Sequence, residues 1–114
     1  ATSGACMLLP RPVFLEVGGL DEGYGLHCED LDLMYRLHLQ GKNCLFVPGA
    51  RVYHQQGVSR SSRPVWVHWQ KHRGMQRFFN KFQAKRYVFP IRWLVIAGIW
   101  TRFALTLPLV LLRR

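Results

Sequence analysis

The sequence predicts an α/β chain, and three features carry that expectation. Short apolar runs of strand-like composition, residues 5–9, 44–47 and 51–53, alternate with segments of helical period. A loop with four glycines in eight residues, Gly18-Gly19-Leu20-Asp21-Glu22-Gly23-Tyr24-Gly25, separates two of the helical segments. Turn residues, Gly41 and then Pro48-Gly49, fall where a helix and a strand should end.

Taken in order, residues 5–9 read as a buried strand. Residues 12–17 read as a short helix, with Pro12 in the first turn where its missing N–H is harmless. Residues 29–40 form the next predicted helix, with Glu29, Asp30 and Asp32 at its start and Gly41 as its terminating residue. Residues 44–47 and 51–53 are predicted strands on either side of the Pro48-Gly49 turn. A polar loop with three serines leads to Pro64, which opens a long helix reaching about residue 87. Along that helix Arg73, Arg77, Lys81 and Lys85 recur every fourth position, while Met75, Phe78, Phe79 and Phe82 occupy another side. The tail, residues 88–112, is nearly all apolar but interrupted by Arg92 and Arg102.

The chain of 114 residues fits one modest domain or part of a larger one, and 49% apolar residues exclude wholesale disorder. It begins at Ala1 with no basic–apolar leader, and the early strand-like run predicts that structure continues upstream. Three cysteines (Cys6, Cys28, Cys44) cannot all pair within one chain and lack metal-binding spacing, so buried reduced thiols are expected. The formal net charge is +10, and all six acids lie between Glu16 and Asp32. Every charged residue from 33 to 114 is therefore basic, which calls for a polyanionic neighbour: lipid headgroups, a nucleotide diphosphate or nucleic acid.

The chemistry-bearing constellation starts where the glycine-rich loop delivers Glu29 and Asp30 to a helix N-terminus, whose free N–H groups and dipole stabilise carboxylates. Asp32 and Arg36 have the spacing of an intrahelical ion pair. His54 ends a predicted strand at the mouth of a loop. Each piece has a plainer reading: acids in a first turn commonly just cap it, and a histidine at a strand end commonly makes an ordinary surface hydrogen bond.

Their joint order resembles the second half of the family 2 glycosyltransferases, especially the rhamnosyl- and galactofuranosyltransferase group. The matching pieces are Ser3-Gly4-Ala5, Gly18-Gly19-Leu20-Asp21-Glu22 (Leu20 for the usual Phe), Glu29-Asp30-Leu31-Asp32-Leu33, Arg36, Gly41, Pro48-Gly49-Ala50 and His54-Gln55-Gln56-Gly57. The resemblance covers about residues 3 to 60 and implies a GT-A fold, with residues 1–63 as the acceptor and catalytic half of the domain; the residues beyond read by themselves as a basic amphipathic helix over 64–87 and an apolar, membrane-associating tail over 88–114. It implies inverting transfer from a nucleotide-diphosphate sugar to a glycan or lipid-linked acceptor hydroxyl, in cell-surface polysaccharide or glycolipid synthesis. Asp30 falls on the base and Glu29 beside it. His54 falls on a ligand of a divalent cation, Mn²⁺ or Mg²⁺. Gly4, Ala5 and Asp32 are assigned to substrate binding, and Arg60 and Arg63 in the serine- and arginine-rich loop after His54, or the Lys71-His72-Arg73 run, are expected to approach the phosphates as that loop closes. The family's nucleotide-binding half, with its Asp-x-Asp metal motif, has no counterpart here, so these 114 residues are not expected to catalyse alone.

Two other classes compete. A nucleic-acid-binding module fits the charge, and Trp66, Trp69, Phe78, Phe79 and Phe82 could stack on bases, but their helical spacing disfavours it. A membrane-binding segment without enzymatic heritage leaves Glu29-Asp30 and His54 unexplained. For the tail, Arg102 near the middle and Pro90 and Pro108 argue against a simple span. A helix in the cytoplasmic membrane interface is the favoured expectation, drawn to an anionic surface by the basic stripe.

Overall fold

The computed structural model describes residues 4–54 and 63–112. They divide into two compact units, Ala1–Gly23 with Glu29–Gln56, and Tyr24–Cys28 with Gly57–Arg114. Arg60 and the Gln55-Gln56-Gly57 part of the motif lie outside the described residues.

In the first unit, helix α1 (Arg11–Glu16) starts just after Pro10 and carries Pro12 in its first turn. It ends on two left-handed glycines, Gly18 at φ 81° and Gly19 at φ 68°, whose N–H groups donate to the carbonyls of Leu15 and Phe14. Helix α2 (Glu29–Leu39) carries all three acids in its first turn and Arg36 and His38 in its last, matching the dipole at both ends. Gly41 closes it as expected: its N–H donates to the His38 carbonyl and that of Lys42 to Leu37, the paired bonds of a Schellman motif. Val17, Leu33 and Leu37 form the core of this unit, with Leu9, Val13 and Phe14 packed against it. Leu33 and Leu37 are four apart, so α2 presents a single apolar stripe toward α1.

The three predicted strands are not formed among the described residues. Residues 5–9, 44–47 and 51–53 are irregular or extended, and Leu8, Leu45, Phe46 and Tyr53 are exposed. A strand exists only through a ladder with a neighbour, and these segments do not pair with one another. The Pro48-Gly49 turn does form, closed by the Ala50 N–H on the Val47 carbonyl. Cys28 is buried as expected, but Cys6 and Cys44, expected to be buried as well, are exposed.

In the second unit, helix α3 (Pro64–Phe78) runs into a π turn (Phe79–Gln83) and a 3₁₀ turn (Ala84–Arg86) before helix α4 (Phe89–Leu112). The expected single helix to residue 87 is thus broken near its end. Phe79 and Ala84 are buried there, and the Phe79 ring stacks on Tyr87 at 6.1 Å. The wider π turn rotates the chain to seat these side chains. On its other flank α3 packs against Tyr24–Cys28 through Gly74, where an added Cβ would lie 2.9 Å from the His27 carbonyl oxygen.

Helices α3 and α4 pack as an antiparallel pair. The Trp100 Nε1–H donates to Gln76 Oε1 at 2.8 Å, and His68 Nε2 lies 2.9 Å from Thr106 Oγ1. Thr106 gives its own proton to the Arg102 carbonyl, so it accepts from His68. His72, almost wholly buried, donates from Nδ1 to the His68 carbonyl, and both rings pack on Phe103. His68, His72 and Gln76, spaced by four, therefore form the face of α3 that meets α4. Burial, with the His72 ring beside it, holds the His68 pKa below its ordinary value. The rest of α4 is uncovered, with Trp93, Leu94, Leu105, Leu109 and Leu112 exposed.

Candidate active site

Asp30 stands in the first turn of α2, and both of its carboxylate oxygens are held by backbone. The Gly4 N–H donates to Oδ2 at 2.9 Å and the Leu31 N–H to Oδ1 at 2.8 Å. The approach at Gly4 is close: a Cβ there would sit 3.0 Å from the Asp30 Cβ, so the aspartate side chain would have to shift. Two residues expected at the site, 26 positions apart in the chain, thus meet directly. A carboxylate carries about four acceptor sites, so lone pairs remain for an incoming hydroxyl.

Glu29, next to it, is half-buried, and its Oε2 has no hydrogen-bond partner among the described residues. A buried carboxylate oxygen without a donor is costly. Just before it, His27 and Cys28 hold left-handed backbone at φ 69° and 70°. Two consecutive non-glycine residues in that region store about 1–3 kcal/mol each, the kind of strain that gathers at functional sites.

Asp32 is fully buried and ion-paired with Arg36. Its carboxylate is occupied with support, where substrate contact was expected. The remaining Arg36 N–H groups donate to the Val17 carbonyl and, at 2.8 Å, to that of Gly19. Arg36 therefore pins the glycine loop to α2, a role the sequence reading missed. Its signal was available: a Gly-Gly exit from a helix leaves carbonyls for an arginine to gather.

Ala5 lies exposed in the turn with Gly4. His54 is exposed at the end of an extended segment, and Arg63 is exposed immediately ahead of α3. Among the described residues no three His, Cys, Asp or Glu side chains converge as a metal shell. The described side chains do not hold a divalent cation by themselves, and His54 offers at most one nitrogen to it.

In the first unit a helix-borne carboxylate fixed by backbone thus lies next in sequence to a glutamate with an unpartnered oxygen, on a helix whose Arg36 pins the glycine loop. The chain belongs to the glycosyl transferase family group 2, whose pattern matches residues 1–114. It is 34% identical over 91 residues to the N-acetylglucosaminyl-diphospho-decaprenol L-rhamnosyltransferase of Mycobacterium tuberculosis, covering 80% of this chain and 30% of that protein. It is 40% identical over 52 residues to the rhamnosyltransferase WbbL of Escherichia coli, covering 46% of this chain and 20% of that protein. The O-antigen biosynthesis protein RfbC of Myxococcus xanthus is 31% identical over 65 residues, which is 57% of this chain and 5% of that protein. No solved structure matches. This chain thus spans less than a third of the length of these relatives, and the family implies a GT-A fold.

Proposed function

We propose that the chain carries the acceptor side of an inverting glycosyltransferase that moves a sugar, in the manner of a rhamnosyltransferase, from a nucleotide-diphosphate donor to an acceptor hydroxyl. The carrying observation is Asp30, fixed at both oxygens beside Glu29 with its unpartnered Oε2. In the reaction Asp30 takes the hydroxyl proton while the acceptor oxygen bonds to the anomeric carbon. The bond from that carbon to the diphosphate oxygen breaks on the opposite face, which inverts the centre. Glu29 accepts a second hydrogen bond and orients the acceptor. Gly4 and Ala5 line the approach. Arg63 and Arg60 add positive charge for the diphosphate, and His54 would offer one ligand to a divalent cation, which would supply charge neutralisation at the leaving group when bound. The α/β layering of a GT-A domain is part of this reading, with residues 5–9 and 44–53 as strands completed by partners from the rest of the domain.

In the full-length protein Asp30→Asn should lower turnover by about 10²- to 10⁴-fold, the usual loss for a positioned base, with nucleotide-sugar affinity retained. Near-normal turnover would remove Asp30 from the chemistry. The same assay run against Mn²⁺ concentration checks His54, whose alanine variant should need more metal for half-maximal rate.

For location we propose the cytoplasmic membrane surface, with α4 lying in the interface. Support comes from the uncovered apolar surface of α4 together with its pairing to α3, a helix that carries Lys71, Arg73 and Arg77.

A further inference from the structure

Residues Tyr24–Cys28 belong by their packing to the second unit, although the chain on either side of them belongs to the first. One face of α3 holds them there. Gln70, Gly74 and Arg77, at spacings of four and three, lie on one side of that helix, roughly opposite the stripe of His68, His72 and Gln76 that meets α4. Gly25 lies against the flat of the buried Gln70 amide: an added Cβ would sit 2.6 Å from Nε2 and 2.9 Å from both Cδ and Oε1. Gly74 meets backbone instead, with the His27 carbonyl oxygen 2.9 Å from where a Cβ would be and Cys28 Sγ at 3.3 Å. The Arg77 guanidinium covers the Tyr24 ring at 5.4 Å, and Tyr24 and Cys28 are both buried.

This grip explains how His27 and Cys28 keep left-handed backbone at φ 69° and 70°. Two such non-glycine residues persist there when their surroundings over-determine them. The His27 carbonyl comes this close to α3 because position 74 has no side chain. The next peptide bond, from Cys28, leads into Glu29, the first residue of α2. Whatever fixes the backbone of His27 and Cys28 thus fixes the direction in which the chain enters α2 and presents the Glu29 carboxylate.

We propose that α3 is a positioning element of the acceptor site, with Gly74, Gln70 and Arg77 setting the orientation of Glu29 through the backbone of His27 and Cys28. The proposal rests on the glycosyltransfer reading for the contact between Glu29 and the acceptor. Two measurements on the full-length protein test it, one kinetic and one independent of sugar transfer. Gly74→Ala adds the Cβ that displaces the His27 carbonyl. It should lower kcat/KM for the acceptor by about 10- to 10²-fold through a raised acceptor KM, with the nucleotide-sugar KM unchanged. It should also speed labelling of the buried Cys28 thiol by iodoacetamide, read by mass spectrometry on the peptide that carries it. Gly98→Ala makes the same chemical change in α4, where an added Cβ meets nothing within 4 Å, and should alter neither readout. Gln70→Ala, which takes atoms away instead of adding one, should move both readouts the same way if Gly74→Ala misfolds. Unchanged Cys28 labelling in Gly74→Ala, faster labelling with intact acceptor kinetics, or equal effects from Gly98→Ala overturns the proposal. So does a fall in apparent kcat with both KM values unchanged, the mark of a smaller folded fraction. The underlying reading fails separately, as an unchanged acceptor KM in Glu29→Gln, and the labelling result alone then judges the grip of α3 on the loop.

Discussion

Asp30 and Asp32 are two positions apart on one helix, yet the fold gives their carboxylates opposite tasks. Asp30 receives two backbone N–H groups and stays reachable; Asp32 is fully buried against Arg36, whose other donors close on the carbonyls of Val17 and Gly19. Removing one partner of a buried pair leaves an uncompensated charge and, here, also slackens the loop clamp. Asp32→Asn in the full-length protein should therefore cost about 3 kcal/mol of stability, read from the urea midpoint. Its turnover should fall less than that of Asp30→Asn. If Asp32→Asn left the midpoint in place, the clamp would not be what holds the loop. The contrast was half legible in the sequence. Spacing of four exposed the ion pair, but burial and the reach of Arg36 to carbonyls 17 and 19 residues away depend on packing that no local pattern encodes.

At the level of elements, what could be read was whatever is settled locally. Pro12 starts α1, Gly41 stops α2, and Pro48-Gly49 turns, because each rests on one residue's backbone preference. The strands were not legible as formed elements, since a ladder needs a second segment. The π turn carries no glycine or proline to announce it. The stripe of His68, His72 and Gln76 carries no local signal either, since polar residues at helical spacing become a packing face only against a partner such as Trp100 and Thr106. This stripe makes the pairing with α4 sensitive to pH. His68 titrates below its ordinary value through burial and the neighbouring His72, with Lys71 and Arg102 adding positive charge nearby. Neutral His68 is thus the paired form, and the separated helices take up a proton first. The stabilising contribution is complete above the unfolded value of 6.5 and is lost as pH falls through the folded one. Tryptophan fluorescence of the full-length protein, followed from about pH 7 to pH 5, should show α4 loosening, with Trp100 as reporter. His68→Gln, which can still donate to Thr106 but cannot titrate, should flatten that change. An unaltered pH profile in this variant would assign the response to another group.

For the molecule as a whole, the charge pattern and the helix pairing bear on the membrane location proposed above. All six acids lie between Glu16 and Asp32, so the described remainder of the chain is basic where it is charged. Helix α4, with 24 residues, is about 36 Å long at 1.5 Å per residue, enough to cross a hydrocarbon core of about 30 Å. Its pairing with α3 opposes a simple crossing in the proposed location. Trp100 and Thr106 are tied to Gln76 and His68, so the stretch of α4 around Arg102 cannot enter hydrocarbon without taking Lys71 and Arg73 along. Three such charges near the bilayer centre would cost about 8 kcal/mol on the insertion scale. Lying in the interface avoids that cost, and basic residues of α3 near an anionic leaflet add attraction of about 1 kcal/mol each. Fractionation of the full-length protein should accordingly find it with membranes, released at least in part by high salt or alkaline carbonate. Release by detergent alone would mean that α4 crosses and that the pairing with α3 opens in the bilayer. A protein that stays soluble with no wash would leave the exposed side of α4 to be covered by protein. Repeating the wash with Trp100→Phe, which breaks the bond to Gln76 and keeps the helix apolar, separates the pairing from the hydropathy: if pairing keeps α4 in the interface, this variant should resist carbonate better than the parent.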